Sequence, residues 1–480
     1  MFTIIHANPE YRIVIHVICL NSQTMTPSIV SPEPRTVATT KHNAKTGPTA
    51  TLEDALQAAK LRFEERHIKS LRLHQEATRS LPGGNTRSLL HTAPFPVFLK
   101  SGTGYQVTDE DGHTYTDLVG EMTAGLYGHS QPLIQETLID TVKNVGLNLG
   151  GTTALESRHA ALICERYKLD LVRFTNSGTE ANLHAIQGAK RFTGKRKVVV
   201  FTGGYHGSCY TFPGDQPAEN CVDRDDWIIA EYNDIEDTRR KIEESEDVAA
   251  VLIEGLQGRG PCFVGEHEFL HQVQESARKV NAVFILDEVQ TSRLAPGGLQ
   301  QLVGLEPDIT TLGKFLGGGL AFGAFGGRED VMRVYDPREP NALGHSGTFN
   351  NNTLTMSAGY VGLSQVFTPE VCSEFSAGGD KFHQRLNDLT RGTKMLVTGL
   401  GTIMGIHFLK DEKRELKSFR DRHEDADLRR LFWFEMMEDG FWTTERGSIA
   451  LILGTPQEEL ERFLECVEKF LERHRSLVSF

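Results

Sequence analysis

The feature that most limits the fold of this chain is a series of short apolar segments between residues 135 and 330. Leu171–Thr175, Lys197–Phe201, Ala249–Ile253, Ala282–Leu286, Ile309–Leu312 and Ala321–Gly326 each hold four to six residues, too few for a core helix. Stretches with helical spacing separate most of them. Strands that read as near-continuous apolar runs are buried on both faces, and the intervening helices supply the covering layers. The expectation is an α/β fold built on a mostly parallel sheet.

The flanks read differently. Leu52, Ala55, Leu56, Ala59 and Leu61 recur at roughly helical spacing, which predicts a helix from near Thr51 to about Ser80, stopping at Leu81-Pro-Gly-Gly84. Residues 96–120 alternate apolar and polar around Asp109-Glu-Asp-Gly112, a hairpin signal. Residues 385–480 predict a smaller α+β lobe, with short strands near Met395–Phe408 and Ile449–Leu453 and an amphipathic helix over Gln457–His474. The domain organisation expected is a large domain over 116–384 and a small domain over 385–480, to which 51–115 contributes. Residues 1–50 lack periodicity and read as a disordered extension or as sequence upstream of the true start, with Met25 an alternative initiator. The apolar run Ile13–Leu20 is followed by no small-x-small cleavage site.

Charge excludes some partners. With 51 basic and 64 acidic residues the net charge is 51 − 64 = −13, which argues against nucleic acid or an anionic membrane. No apolar run approaches the ~18 residues that span a bilayer. Seven scattered cysteines without a C-x-x-C pair predict free thiols in a reducing compartment. The cytoplasm is the expected location, with the mitochondrion as the alternative.

Chemistry concentrates around Lys314 and Asp287, which stand 314 − 287 = 27 residues apart. Lys314 follows an apolar strand and precedes Phe-Leu-Gly-Gly-Gly; Asp287 ends Phe284-Ile-Leu-Asp. A lysine amine forms a Schiff base with an aldehyde. A carboxylate keeps a pyridine nitrogen protonated, so that the ring withdraws electrons. Together they are the least equipment for pyridoxal 5′-phosphate (PLP) chemistry. The plain alternatives are a surface lysine and an N-cap aspartate.

Three other segments carry donors. Ser177-Gly178-Thr179 lies between a strand and a helix, where free N–H groups and the helix dipole attract phosphate. Ser177-x-x-Glu180 also fits a simple capping box. Gly203-Gly-Tyr-His-Gly207 follows a strand, and Tyr205 has a ring suited to lie on a flat heteroaromatic or simply to pack in a turn. Gly344-His-Ser-Gly-Thr-Phe-Asn-Asn-Asn352 is a polar loop in which Thr348 offers another hydroxyl. His267-Glu-Phe-Leu-His271 matches the H-E-x-x-H zinc pattern, but it opens a polar helix between two sheet strands, a poor place for a metal cleft.

Taken in order, these segments resemble the class III PLP-dependent aminotransferases, over about Thr51 to the C-terminus. The resemblance implies a PLP-dependent transferase fold like that of aspartate aminotransferase, with residues 116–384 as the PLP-binding domain. It implies Lys314 as the Schiff-base lysine, Asp287 on the pyridine nitrogen, Val289 and Tyr205 on the two ring faces, and Ser177, Gly178 and Thr179 on the phosphate. It further implies that Thr348 reaches the phosphate of a neighbouring subunit, and hence a homodimer with interface active sites. Asn85-Thr-Arg-Ser-Leu-Leu90, Ala93-Pro-Phe-Pro96, Thr123-Ala-Gly-Leu-Tyr-Gly-His129, Thr291-Ser-Arg-Leu-Ala-Pro-Gly297 and Ser346-Gly-Thr-Phe-Asn-Asn-Asn352 are similar to bacterial β-amino-acid (β-phenylalanine) aminotransferases. By that resemblance Arg87 binds the substrate carboxylate, and Arg446 is a second candidate.

The implied reaction moves an amino group from an amino acid, a β-amino acid on this reading, to a keto acid. The alternative is intramolecular transfer of the glutamate-1-semialdehyde 2,1-aminomutase type, whose members share Pro82-Gly83-Gly84. A PLP-binding protein without turnover and a zinc hydrolase are the more remote readings. One departure stands out: Glu254 is followed by Gly255, where many class III enzymes have proline. The change loosens a turn in the pocket wall.

Overall fold

The structure, a computed structural model, describes residues 51–259, 262–412 and 415–480. The expectation for residues 1–50 lies outside the described residues.

A seven-stranded sheet organises the molecule. Named by first residue, its strands run in the order 171, 323, 309, 283, 248, 197, 227. Val283–Asp287 at the centre pairs parallel with Val248–Glu254 and with Ile309–Gly313. Lys197–Phe201 pairs parallel with both of its neighbours. Gly323–Gly327 is antiparallel to both of its own, so the sheet is mostly parallel. All six expected strands are present, within two residues at their starts and one at their ends. Trp227–Ala230 is an edge strand that the apolar pattern did not announce, because three of its four residues are only half-buried.

Side-chain alternation builds a core on each sheet face. Val199, Val251, Ile253, Phe284 and Leu286 pack on one face under the helix His267–Lys279. Val198, Val200, Ala250, Leu252, Val283 and Ile285 pack on the other, under the helix Gly178–Thr193. This explains the runs of buried residues without polar interruption in the central strands.

A separate core joins the two ends of the described chain. Ala59, Phe63, Phe95 and Tyr115 pack with Phe408, Trp433, Phe441, Phe463 and Phe470. The expected N-terminal helix is two helices, Leu52–Arg66 and Ile68–Ala77, broken at His67 with φ −120° and ψ 46°. The break is tertiary in origin. His67 is buried, and its ring lies between the Phe63 carbonyl and Tyr115 Oη. Burial lowers its pKa below the ordinary 6.5, despite the nearby Asp109 carboxylate. The hairpin forms as expected, with Gln106–Asp109 antiparallel to Thr114–Asp117. At the C-terminal end, Met395–Leu400, Ile403–Phe408 and Ser448–Ala450 form a three-stranded sheet, followed by the helix Gln457–Arg473.

Candidate active site

Ligands of open α/β sheets bind beyond the carboxyl ends of the strands. Four strands of this sheet end on sequence-predicted residues there: Leu171–Thr175 before Ser177, Lys197–Phe201 before Tyr205, Val283–Asp287, and Ile309–Gly313 before Lys314. Register places Asp287 opposite Glu254 on one side and Thr311 on the other.

Asp287 is buried, and its carboxylate is fixed from three sides. Asn182 Nδ2 donates to Oδ2 at 2.8 Å, His206 Nδ1 lies 2.8 Å from the same oxygen, and the Val289 amide donates to Oδ1 at 3.0 Å. Asn182 is held in turn by Thr311, whose hydroxyl donates to its Oδ1 at 2.8 Å. The neighbouring Glu288 serves the fold instead. It accepts from the amides of Leu299 and Gln300 at 3.0 and 2.7 Å and from the Thr291 hydroxyl at 2.5 Å. Of two adjacent acids, one is a scaffold tie and the other faces Asn182 and His206.

Ser177 caps the helix Gly178–Thr193, its Oγ accepting from the Glu180 amide at 3.2 Å. The Glu180 carboxylate accepts from the Asn176 amide at 2.8 Å rather than from Ser177, so the reciprocal half of a capping box is displaced by one residue. Glycines bring the loops together. A Cβ on Gly178 would stand 2.8 Å from Val289 Cγ1, and one on Gly313 would stand 3.2 Å from it. A Cβ on Gly207, where φ is +115°, would stand 2.3 Å from Thr179 Oγ1. Side chains at these positions would fill the cradle that Thr179, Val289 and Lys314 share.

Lys314 has φ +59°, and its amine donates to the Met122 carbonyl and, at 2.8 Å, to Thr123 Oγ1. Burial lowers its pKa to about 8, against the opposing pull of Asp287 and Glu254. Glu121, Met122 and Thr123 have φ of 48°, 53° and 76°, a left-handed run in residues that disfavour it. Non-glycine outliers of this kind gather where function demands an awkward backbone. No sequence signal announces the run, because none of the three residue types prefers positive φ.

Tyr205 presents an exposed ring while its amide donates to Glu254 Oε2 at 2.8 Å. Glu254 Oε1 accepts from the Gly258 amide at 3.1 Å, and burial raises the pKa of Glu254 to about 7. A Cβ on Gly255 would lie 2.2 Å from Leu299 Cδ2, so a side chain there would force the buried Leu299 to shift. Arg87 pairs with Glu121, one residue before the groups that hold Lys314, and its charge acts on both Lys314 and Tyr205. Arg446 is exposed and within reach of the charges of Arg422 and of Arg259, whose guanidinium lies 5.9 Å from the Tyr205 ring centroid.

Thr348 is not gathered with the others. It is exposed on a loop tied to this region by Asn350, whose Oδ1 accepts from Asn176 Nδ2 at 2.9 Å. The sequence reading missed Asn182, His206, Thr311 and the 121–123 run as working parts. Asn182 and His206 lie inside segments it singled out, and only the fold shows them converging on Asp287. His267 and His271 have rings 4.3 Å apart, but His271 Nε2 lies 2.8 Å from the Val303 carbonyl and is taken up by the fold.

A mostly parallel sheet with a half-buried lysine and a clamped aspartate at its carboxyl edge defines a PLP-dependent transferase fold. The sequence pattern of the class III aminotransferases matches residues 90–470, and the chain belongs to that family; PLP is its cofactor. An uncharacterized aminotransferase of Schizosaccharomyces pombe is 46% identical over 88% of this chain and 97% of its own length. The β-phenylalanine transaminase of Variovorax paradoxus is 42% identical over 89% of this chain and 98% of its own. The crystal structure of the Variovorax enzyme aligns with a TM-score of 0.87, covering 89% of this chain and 99% of that one. A glutamate-1-semialdehyde 2,1-aminomutase of Clostridium tetani is 30% identical over 84% of this chain and all of its own length. Among the described residues, no helix is long and apolar enough to cross a membrane.

Proposed function

We propose that the chain transfers the amino group of a β-amino acid to a keto acid, with Lys314 as the residue that holds the cofactor aldehyde and moves the proton. The observation that carries this is the three-sided clamp on Asp287 beside an amine whose pKa burial has lowered to about 8.

The residues fit the cofactor. Ser177, Gly178 and Thr179 would hold its phosphate on the N-terminal amides of a 16-residue helix. Tyr205 and Val289 would flank its ring, and Asp287 would keep the pyridine nitrogen protonated. When bound, PLP supplies an electron sink for the carbon that bears the amine. Lys314 then serves as general acid and base, for which an amine titrating near 8 is well placed. Arg87 presents a guanidinium to a substrate carboxylate, in place of its present partner Glu121. The higher identity to the β-phenylalanine transaminase than to the aminomutase favours this donor class.

A homodimer completes the proposal. Ile139, Val142, Leu147, Leu149 and Phe349 are 50 to 57% exposed, more apolar surface than a lone chain keeps in one region. This segment adjoins the loop of Thr348, since the Thr353 hydroxyl shares its one proton between the Gly146 and Leu147 carbonyls, 2.6 and 2.9 Å away. A second copy covering this face would take Thr348 toward its neighbour.

The test is Lys314→Ala. Turnover should vanish, and borohydride treatment of the cofactor-saturated wild type should leave a pyridoxyl group on the Lys314 peptide. Transamination by the variant, or an adduct at another lysine, overturns the assignment. Assays with and without added keto acid separate transamination from intramolecular transfer.

A further inference from the structure

Away from the sheet edge, four polar side chains meet with too few protons. His67 lies at the break between the two N-terminal helices; Asp109, His113 and Tyr115 come from the hairpin. His67 Nδ1 stands 2.7 Å from the Phe63 carbonyl. A carbonyl only accepts, so Nδ1 carries the proton and Nε2 of the neutral ring is a lone pair. That lone pair faces Tyr115 Oη at 2.9 Å and Asp109 Oδ2 at 3.5 Å. Asp109 Oδ1 is occupied by the amides of Gly112 and His113 at 2.7 and 2.8 Å, which aims Oδ2 at the same point. Oδ2 also stands 2.9 Å from His113 Nδ1 and 2.7 Å from Tyr115 Oη.

The proton count does not close. The Tyr115 hydroxyl has one proton for two acceptors, His67 Nε2 and Asp109 Oδ2. Whichever receives it, the other contact sets lone pair against lone pair. Protonating His67 would close the count, but it would place a charged ring where the residue is 3% exposed. A divalent cation also closes it, by giving both lone pairs a partner.

Other observations point to a metal. Among the described residues this is the one group of three His, Cys, Asp or Glu residues assembled for one, their ligating atoms all within 4.8 Å. A tetrahedral zinc with bonds of about 2.0–2.1 Å separates its ligands by about 3.3 Å. His113 Nδ1 and His67 Nε2 stand 2.9 and 3.5 Å from Asp109 Oδ2, which bracket that value, and all three ligating atoms lie within 4.8 Å of one another. Two of the three ligands are also oriented from behind, His67 by the Phe63 carbonyl and Asp109 by two amides, the arrangement that metal sites use. His113, 29% exposed at its side chain, gives solvent access.

We propose that His67 Nε2, Asp109 Oδ2 and His113 Nδ1 bind a divalent transition cation of the zinc class, with Tyr115 Oη or water as the fourth ligand. The site is structural: it ties the N-terminal helix pair to the hairpin. It is independent of the transaminase reading, and needs neither Lys314 nor Asp287.

The full-length, PLP-saturated enzyme is stripped with a chelator, dialysed, and titrated with zinc chloride against a chromophoric competitor. One zinc per chain is expected, with submicromolar affinity and a higher melting temperature; cobalt in its place gives the visible bands of a tetrahedral site. His113→Ala and Asp109→Asn should weaken binding at least tenfold. The part-exposed His113→Ala variant should keep its transaminase activity, so that loss of metal is not loss of fold. His271→Ala tests the other histidine pair and should bind as wild type does. Binding below a tenth of an equivalent, undiminished binding by His113→Ala, or loss of it in His271→Ala overturns the proposal.

Discussion

The lowered pKa of Lys314 makes a prediction that can be worked through in numbers. Only the neutral amine captures an aldehyde. With a pKa of about 8, roughly 24% of the lysine is neutral at pH 7.5; an ordinary lysine titrating near 10.4 would be about 0.1% neutral. Between pH 7.5 and 9.5 the neutral fraction at Lys314 rises only about fourfold, against about ninetyfold for the ordinary group. The perturbation is therefore pH, applied to enzyme freed of cofactor. The assay is stopped-flow capture of PLP at the Lys314 amine, followed by its absorbance change. The rate should level off above pH 8 to 9. Glu254→Gln adds a check on cause: the Glu254 charge raises the pKa of Lys314, so its removal should move the midpoint to lower pH. A rate that climbs steadily to pH 10.5 would refute the argument that burial sets this amine; a midpoint untouched by Glu254→Gln would remove the Glu254 charge from the account.

Asp287→Asn keeps the shape of the clamp but removes its charge, and should cut turnover by about 10²–10³ while leaving circular dichroism unchanged. A drop of less than tenfold would take Asp287 off the cofactor nitrogen. Arg87→Ala should raise KM for β-amino acids by about 10- to 100-fold, the worth of a charged hydrogen-bonded pair, and leave simple amines unaffected. Equal losses on both would remove Arg87 from the carboxylate role. Leu147→Glu, on the exposed apolar face, should convert the proposed dimer to a monomer of 53.4 kDa in sedimentation and abolish activity with it. An active monomer would show that the site is complete within one chain.

Much of the sheet was legible because burial on both faces leaves runs of apolar residues, as in Val248–Glu254, where every residue is buried. The edge strand Trp227–Ala230 was not, since a half-buried edge has no such pattern. The antiparallel direction of Gly323–Gly327 has no local signature either. The helix break at His67 comes with a phenol that the fold contributes, Tyr115, and no breaker residue marks it. At the candidate site, Lys314, Asp287 and Ser177 were legible because strand ends and glycines mark them. The supports were not: Asn182 lies 24 residues from His206, 105 from Asp287 and 129 from Thr311 across the contacts that join them.

The partner of the Lys314 amine at Met122 is a main-chain oxygen. Exchange of side chains at position 122 leaves that acceptor in place, so alanine scanning passes over it. Only a change that redirects the peptide plane exposes its contribution. A glycine at 121 or 122 eases the dihedral penalty and frees the plane to turn, so a variant that melts at a higher temperature there is also the one most apt to lose hold of the amine.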